Sequence, residues 1–283
     1  MSLPGKLIDL PAGRVFVHRS GEGPPLVLIH GYLVSHYYFK PVIAELGKRF
    51  EVIAIDLPGH GESDRPSPDR FGYDLPALAD VVAATLDALG IAKARVWGHS
   101  MGGAVALTVA ARHPDKVERL LVEDAAFYPL PLPLTGKLVL TPLIGRFIFM
   151  NLYSRREFAG FERTAYSDPS LFSEEAVDYY WERFNRAGGR AALYATFKHV
   201  IASPDDRGGD LVRIKAPTLI VWGEDDRIVP VAHGERLAKE IANAKFTVIK
   251  ACGHVPHEEG VVALLAAAVP FLVGESTIDA ANG

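Results

Sequence analysis

The chain predicts an α/β fold with a mostly parallel central sheet, helices on both faces and an inserted helical segment, and three observations carry that expectation. Strand-like runs near 14–18, 26–30, 51–55, 94–97, 119–123, 217–222 and 245–249 are separated by segments of helical period. Such alternation implies parallel strands joined by helices that cover both faces of a sheet. Second, the run Ala94-Arg95-Val96-Trp97 enters the glycine-flanked turn Gly98-His99-Ser100-Met101-Gly102, which leads into the small-residue helix pattern Gly103-Ala104-Val105-Ala106-Leu107. Third, the stretch between Glu123 and Pro217 lacks any β pattern and is rich in aromatics.

Taken in order, segment 76–89 is helical by the recurrence of Leu78, Val81, Val82, Thr85, Leu86 and Leu89 at every third or fourth position. The helix after Ser100 ends before Pro114. Residues 127–210 form an insertion. Its first part, Pro129-Leu130-Pro131-Leu132-Pro133-Leu134, is expected to be extended, because alternate prolines remove the amide donors a helix needs. The run Leu138–Met150 is apolar on nearly every side and is expected to pack on the core or to wall an apolar substrate site. A membrane span needs about 20 apolar residues, and Pro142, Gly145 and Arg146 interrupt this shorter run. Ser173 suits the N-cap of a helix over 174–184, whose Tyr179, Tyr180, Trp181 and Phe184 are read as core. Gly188-Gly189 marks a break, and Arg190 beyond it is expected to be solvated. Pro217-Thr218-Leu219-Ile220-Val221-Trp222 reads as a buried strand, Pro230 as the opening of a helix and Lys245-Phe246-Thr247-Val248-Ile249 as the last strand.

The turn at residues 98–102 has the G-x-S-x-G pattern in a strand-turn-helix setting. A side chain on so sharp a turn stands clear of the sheet only if its flanking positions lack a Cβ, which Gly98 and Gly102 supply. The amides at the start of the following helix are then aimed at the reaction space. Ser100 is therefore the candidate nucleophile. A serine hydroxyl needs a base to take its proton and an acid to orient that base, in the chain order serine, acid, histidine. The strand 217–222 runs into Gly223-Glu224-Asp225-Asp226, and acids at the carboxyl ends of strands are where open α/β sheets keep their sites. The loop after 245–249 delivers Ala251-Cys252-Gly253-His254, which makes His254 the candidate base.

With these residues in place the sequence resembles the α/β-hydrolase superfamily over nearly its whole length, in four segments that keep the family's order. The first is Leu26-Val27-Leu28-Ile29-His30-Gly31-Tyr32 and the second Asp56-Leu57-Pro58-Gly59-His60-Gly61-Glu62-Ser63. The elbow at 98–102 and the acid and histidine loops supply the third and fourth. The resemblance implies an oxyanion hole formed by the backbone N–H groups of Tyr32 and Met101, with His30, Gly31, Gly98 and Gly102 as supporting motif residues. The family's Gly-x-x-Asp-x-x-x-Pro pattern falls on Gly223, Asp226 and Pro230, so Asp226 is chosen over Asp225, which is expected to face solvent or cap its loop. The resemblance also implies that 127–210 is a helical cap on a core made of 1–126 and 211–283.

Other polar residues receive structural roles. Asp124 is expected in a turn or cap, His257 at the start of a helix, His30 and His60 in hydrogen bonds to backbone, and His99 in shaping the elbow.

Composition is consistent with a large core: 283 residues are 49% hydrophobic. A net charge of −4 with 23% charged residues supplies no basic field for nucleic acid. With no H-E-x-x-H, no C-x-x-C and Cys252 as the single cysteine, neither a metal nor another cofactor is expected. That lone cysteine and an N-terminal stretch without a secretion-signal pattern lead to the expectation of a cytoplasmic protein. The expected activity is serine-dependent cleavage of carboxylic esters of small to medium hydrophobic substrates, of carboxylesterase type. Alternatives are meta-cleavage carbon–carbon hydrolysis, lactone or thioester hydrolysis, and ligand reception without turnover. Residue 99 is His where the carbon–carbon hydrolases usually place Asn, and the His30-Gly31 turn lacks their further glycines and proline.

Overall fold

In a computed structural model, residues 3–275 are described except 131, 133, 142 and 204–207. Eight strands form one sheet: β1 (Gly5–Leu10), β2 (Gly13–Ser20), β3 (Pro25–Ile29), β4 (Glu51–Ile55), β5 (Ala94–His99), β6 (Val117–Glu123), β7 (Thr218–Gly223) and β8 (Ala244–Ile249). Their order is β1-β2-β4-β3-β5-β6-β7-β8. Strand β2 runs antiparallel to both of its neighbours and the remaining pairs are parallel.

Seven of these strands lie where the apolar runs predict them. Strand β1 does not. It is an edge strand whose residues are mostly exposed, so no buried run betrays it, and it forms through its antiparallel register with β2 (Gly5↔His18 to Leu10↔Gly13).

The helices are α1 (Lys40–Leu46), α2 (Leu75–Ala88), α3 (Met101–Arg112), α4 (Leu134–Val139), α5 (Ile144–Phe147), α6 (Arg155–Arg163), α7 (Glu174–Phe184), α8 (Gly189–Thr196), α9 (Val231–Glu240), α10 (Pro256–Glu259) and α11 (Val261–Val273). Successive strand side chains point to opposite faces. On β3, Val27 and Ile29 join the core beneath α2, α3 and α9, while Leu26 and Leu28 join the core beneath α1 and α11. Helix α2 starts where Asp74 caps the Ala77 amide, and its stripe Leu78, Val81, Val82, Thr85 and Leu86 is buried. Pro230 sits one position before the first helical residue of α9, at the cap.

Between β6 and β7 the chain is helical, and a third apolar cluster joins it to the loops at the carboxyl end of the sheet. Phe149, Phe158, Tyr166, Tyr180 and Phe184 pack there with Leu33, Val34, Tyr38 and Val255. Phe127, Tyr128 and Leu211 lie instead in the core beneath α2 and α3. Ser173 caps α7 through the Ala176 amide, and Tyr179, Tyr180 and Phe184 are buried as expected of core residues.

Two expectations for this region are corrected. The apolar run at 138–150 is not one packed element: α4 ends at Val139, Leu143 takes a positive φ, and Leu138, Leu143, Ile144 and Phe147 face solvent. Only Phe149 of its large side chains is buried, because Leu143 and the short α5 turn the chain before a full stripe can form. Arg190 is not free in solvent. Its guanidinium donates to the Phe149 and Tyr153 carbonyls and to Asn185 Oδ1, and lies over the Trp181 and Phe184 rings. The expected extended segment at 129–134 includes Pro131 and Pro133, which lie outside the described residues, and Leu134 already begins α4. Among the described residues no helix is long and apolar enough to cross a membrane.

Candidate active site

The parallel register lines up the carboxyl ends of five strands. Ile29 of β3 lies beside Gly98 of β5, His99 beside Glu123 of β6, Glu123 beside Val221 of β7, and Gly223 beside Ile249 of β8. The loops leaving these ends carry His30, Ser100, Asp124, Asp226 and His254, so residues scattered over more than 200 positions of sequence converge at one rim of the sheet.

Ser100 stands between β5 and α3 with φ 54° and ψ −118°. This turn is held by the Ser100 amide donating to the Glu123 carbonyl at 2.8 Å, while the Ser100 carbonyl accepts from Ala104 and Ala126. A Cβ added to Gly98 would lie 2.1 Å from the Gly102 carbonyl oxygen, and one added to Gly102 would lie 2.1 Å from that of Ile29. Both glycines are therefore demanded by backbone contacts.

The Ser100 hydroxyl is 2.8 Å from His254 Nε2, and His254 Nδ1 is 2.7 Å from Asp226 Oδ2. The second Asp226 oxygen accepts from the Ile228 and Val229 amides at 2.7 and 2.9 Å. Burial works against the charge of Asp226, but His254 and the two amides outweigh it and hold the carboxyl below its ordinary range. Ser100 and His254 are 8% and 4% exposed, so the pair is buried and does not lie on an open surface.

The His30-Gly31 turn abuts the elbow: a Cβ on Gly31 would lie 3.1 Å from His99 Nδ1 and 3.4 Å from Ser100 Cβ. Tyr32 follows this turn, its hydroxyl donating to the Leu193 carbonyl at 2.9 Å, and Met101 opens α3. His30 donates from Nδ1 to the Gly31 carbonyl and accepts the Leu57 amide on Nε2, tying this turn to the loop after β4. Burial lowers its pKa and keeps it neutral. His60 lies 3.2 Å from the Pro58 carbonyl through Nδ1, and burial, aided by His30, pushes its pKa well below the usual range.

His99 donates from Nε2 to the His254 carbonyl at 2.7 Å, and its ring lies between those of His254 and His257 at centroid distances of 4.9 and 4.7 Å. Burial and these two neighbours push its pKa well down, so it shapes the site as a neutral ring. Asp225 is exposed, and Ser167 donates to it at 3.2 Å.

Asp124 is fully buried and accepts the Gly223 amide at 2.9 Å, which ties the end of β6 to that of β7. Burial and the nearby charges of Asp226 and Glu123 raise its pKa well above the ordinary carboxyl value. A donor atom from each of Asp124, Asp226 and His254 falls within 4.8 Å of the others. That grouping would admit a metal ion by distance alone, but the Asp226 and His254 atoms are already engaged in the hydrogen bonds joining Asp226 to His254 and His254 to Ser100.

Two buried carboxylate–histidine pairs escaped sequence reasoning. Glu123 accepts the His257 amide and Nδ1 on one oxygen and Trp97 Nε1 on the other. Burial opposes charge on His257, but Glu123 prevails and raises its pKa. His257 does open a helix, as second residue of α10. The available signal was an acid at the end of the apolar run Leu120-Leu121-Val122, where an unpaired charge would be costly. His36 likewise donates its amide and Nδ1 to Asp56. Despite burial, His36 brings Asp56 down to about 2. Asp56 also accepts the Glu62 amide, so the motif at 56–63 is a loop folded around a buried carboxylate.

Comparison with known proteins follows the same lines. Residues 24–261 match the family described as alpha/beta hydrolase fold. The chain is 34% identical over 253 residues to a 2-hydroxy-6-oxononadienedioate/2-hydroxy-6-oxononatrienedioate hydrolase of Burkholderia vietnamiensis, covering 85% of this chain and 84% of the relative. It is 30% identical over 240 residues to the uncharacterized hydrolase YugF of Bacillus subtilis, with 83% and 84% covered. Its fold is similar, with a TM-score of 0.82, to a meta-cleavage product hydrolase from Pseudomonas fluorescens complexed with acetates, at 25% identity and coverage of 96% and 98%. A match spanning the six parallel strands of the sheet and all the loops at their carboxyl ends leaves one conclusion: the chain belongs to the alpha/beta hydrolase fold family.

Proposed function

We propose that this hydrolase cleaves carboxylic esters of small, uncharged, hydrophobic substrates through an acyl-enzyme on Ser100. The observation that carries the reading is the continuous chain from Ser100 Oγ through His254 to Asp226, at 2.8 and 2.7 Å. His254 takes the hydroxyl proton through Nε2 as the Ser100 oxygen attacks the carbonyl, and Asp226 stabilises the imidazolium through Nδ1. The Tyr32 and Met101 amides receive the oxyanion, each worth about 10²- to 10³-fold in rate. His254 then protonates the leaving alcohol. Water repeats the sequence and frees the acid.

An uncharged substrate is favoured by the surroundings. The insertion acts as a cap, and the cluster it shares with the core at Leu33, Val34, Tyr38 and Val255 is apolar and aromatic. The arginines bordering it are engaged: Arg183 with Glu62, and Arg190 with Asn185 and two carbonyls. Neither offers a free cation to a dienoate carboxylate.

Carbon–carbon hydrolysis is the second reading, favoured by the Burkholderia relative. Against it, the His99 ring donates to the His254 carbonyl and so is committed away from a substrate. The test compares p-nitrophenyl esters of increasing acyl length with a 2-hydroxy-6-oxo-dienoate, using wild type and Ser100→Ala. Ester turnover lost on substitution supports the first reading. Turnover of the dienoate alone overturns it in favour of the second.

A further inference from the structure

The backbone of His254 is held from two sides. Its carbonyl accepts from His99 in the elbow at 2.7 Å, and its amide donates to the carbonyl of Ala165, in the insertion, at 2.7 Å. The same stretch of insertion is stitched to the histidine loop by one side chain. Glu259 accepts the Gly253 amide on Oε2 at 2.6 Å and the Asp168 amide on Oε1 at 2.8 Å, so one carboxylate clips two backbones together. Tyr166 donates to Glu258 at 2.6 Å alongside it. Gly253 permits this approach: a Cβ there would lie 2.4 Å from the Ala165 carbonyl oxygen and 2.7 Å from the Ser167 nitrogen.

We propose that Glu259 is a positioning residue which, by clipping residues 165–168 of the insertion to Gly253, aligns the His254 imidazole on Ser100 only when the insertion is seated. The proposal rests on His254 being the base and is independent of which bond the enzyme cleaves. The physical basis is geometric. A histidine that must meet Ser100 on one nitrogen and Asp226 on the other tolerates little displacement, and a loop held by amides loses that placement when one anchor leaves. Ser100 is 8% exposed, and in this proposal substrate reaches it when the insertion moves. Opening then loosens the base, and closing over a substrate restores it, so the serine is activated chiefly in the closed, occupied state.

The experiment measures the second-order rate constant for labelling of Ser100 by a serine-reactive phosphonate, together with the labelled fraction at completion, in Glu259→Ala, Glu259→Gln and Gly253→Ala. A phosphonate reports activation of Ser100 whatever the substrate. Failure of the ester reading therefore shows in wild-type turnover, and failure of this proposal in the variant-to-wild-type labelling ratio. Expected for Glu259→Ala is a rate constant lower by about tenfold at full final labelling, with kcat falling in parallel and KM held within about twofold. Glu259→Gln, which keeps one acceptor oxygen, recovers part of the loss. Gly253→Ala, whose Cβ would lie 2.4 Å from the Ala165 carbonyl oxygen and 2.8 Å from Glu259 Oε2, disturbs both sides of the clip and slows labelling comparably. Rate constants within about twofold of wild type in Glu259→Ala and Gly253→Ala overturn the proposal, as does a loss confined to the labelled fraction, the mark of a purely structural role.

Discussion

Asp124 and Asp226 both bring a carboxyl oxygen to within 4.8 Å of His254, yet only Asp226 hydrogen-bonds to the ring, and their surroundings push the two carboxyl groups in opposite directions. His254 and two amides favour the anion of Asp226 and hold its pKa down, whereas burial and the neighbouring charges push that of Asp124 up. Replacing each by asparagine separates their roles. Asp226→Asn removes the group that orients and stabilises the imidazolium and lowers kcat by about 10³- to 10⁴-fold. Asp124→Asn keeps an acceptor for the Gly223 amide and touches no hydrogen bond to the His254 ring, so kcat stays within about threefold of wild type. Steady-state hydrolysis of one ester by both variants is the check, and equal losses would contradict this division of roles.

The elbow tolerates no side chain at Gly98, where an added Cβ meets the Gly102 carbonyl oxygen at 2.1 Å. Gly98→Ala must displace the start of α3, with it the Met101 amide and Ser100. The expected result is a stability loss of about 3 kcal/mol and no detectable labelling of Ser100. Urea unfolding and phosphonate labelling read the two effects separately.

Glu123 and His257 form a buried pair that also fastens Trp97 on β5. Glu123→Ala leaves the buried His257 and Trp97 without their shared acceptor and destabilises the fold by about 3–5 kcal/mol. Neutralising both partners in Glu123→Gln with His257→Gln costs less than the single truncation. A double variant weaker than Glu123→Ala would show that the pair contributes through packing, not charge.

Glu162 on α6 is buried and lies near Glu258; desolvation, then that neighbour's charge, raises its pKa from 4.5 to about 8. The folded state thus keeps a proton that the unfolded chain releases. The stabilisation is fully present below the unfolded value of 4.5 and is lost as the pH climbs towards and through about 8. The loss runs at about 1.4 kcal/mol per pH unit. Glu162→Gln removes this dependence, so Tm measured across about pH 5 to pH 8 falls less steeply and lies above wild type at the alkaline end. An unchanged slope would place the titration elsewhere.

By itself the sequence determined whatever a short stretch of chain must satisfy locally. Seven strands were legible because each carries an apolar run, α2 because its stripe repeats with the helical period, and the elbow because only glycine fits at 98 and 102. The order Ser100, Asp226, His254 was legible from strand ends and motif spacing. The tertiary structure decided what depends on distant partners. Strand β1 exists through its pairing with β2, the Glu123–His257 pair joins positions 134 residues apart, and Glu259 finds Asp168 across 91. Such contacts leave no period in the sequence, because what selects the residue is the space and charge that other elements present after folding. The same reason turned the apolar stretch at 138–150 outward: hydrophobicity is a property of the residues, but burial depends on whether a neighbouring surface is there to receive them.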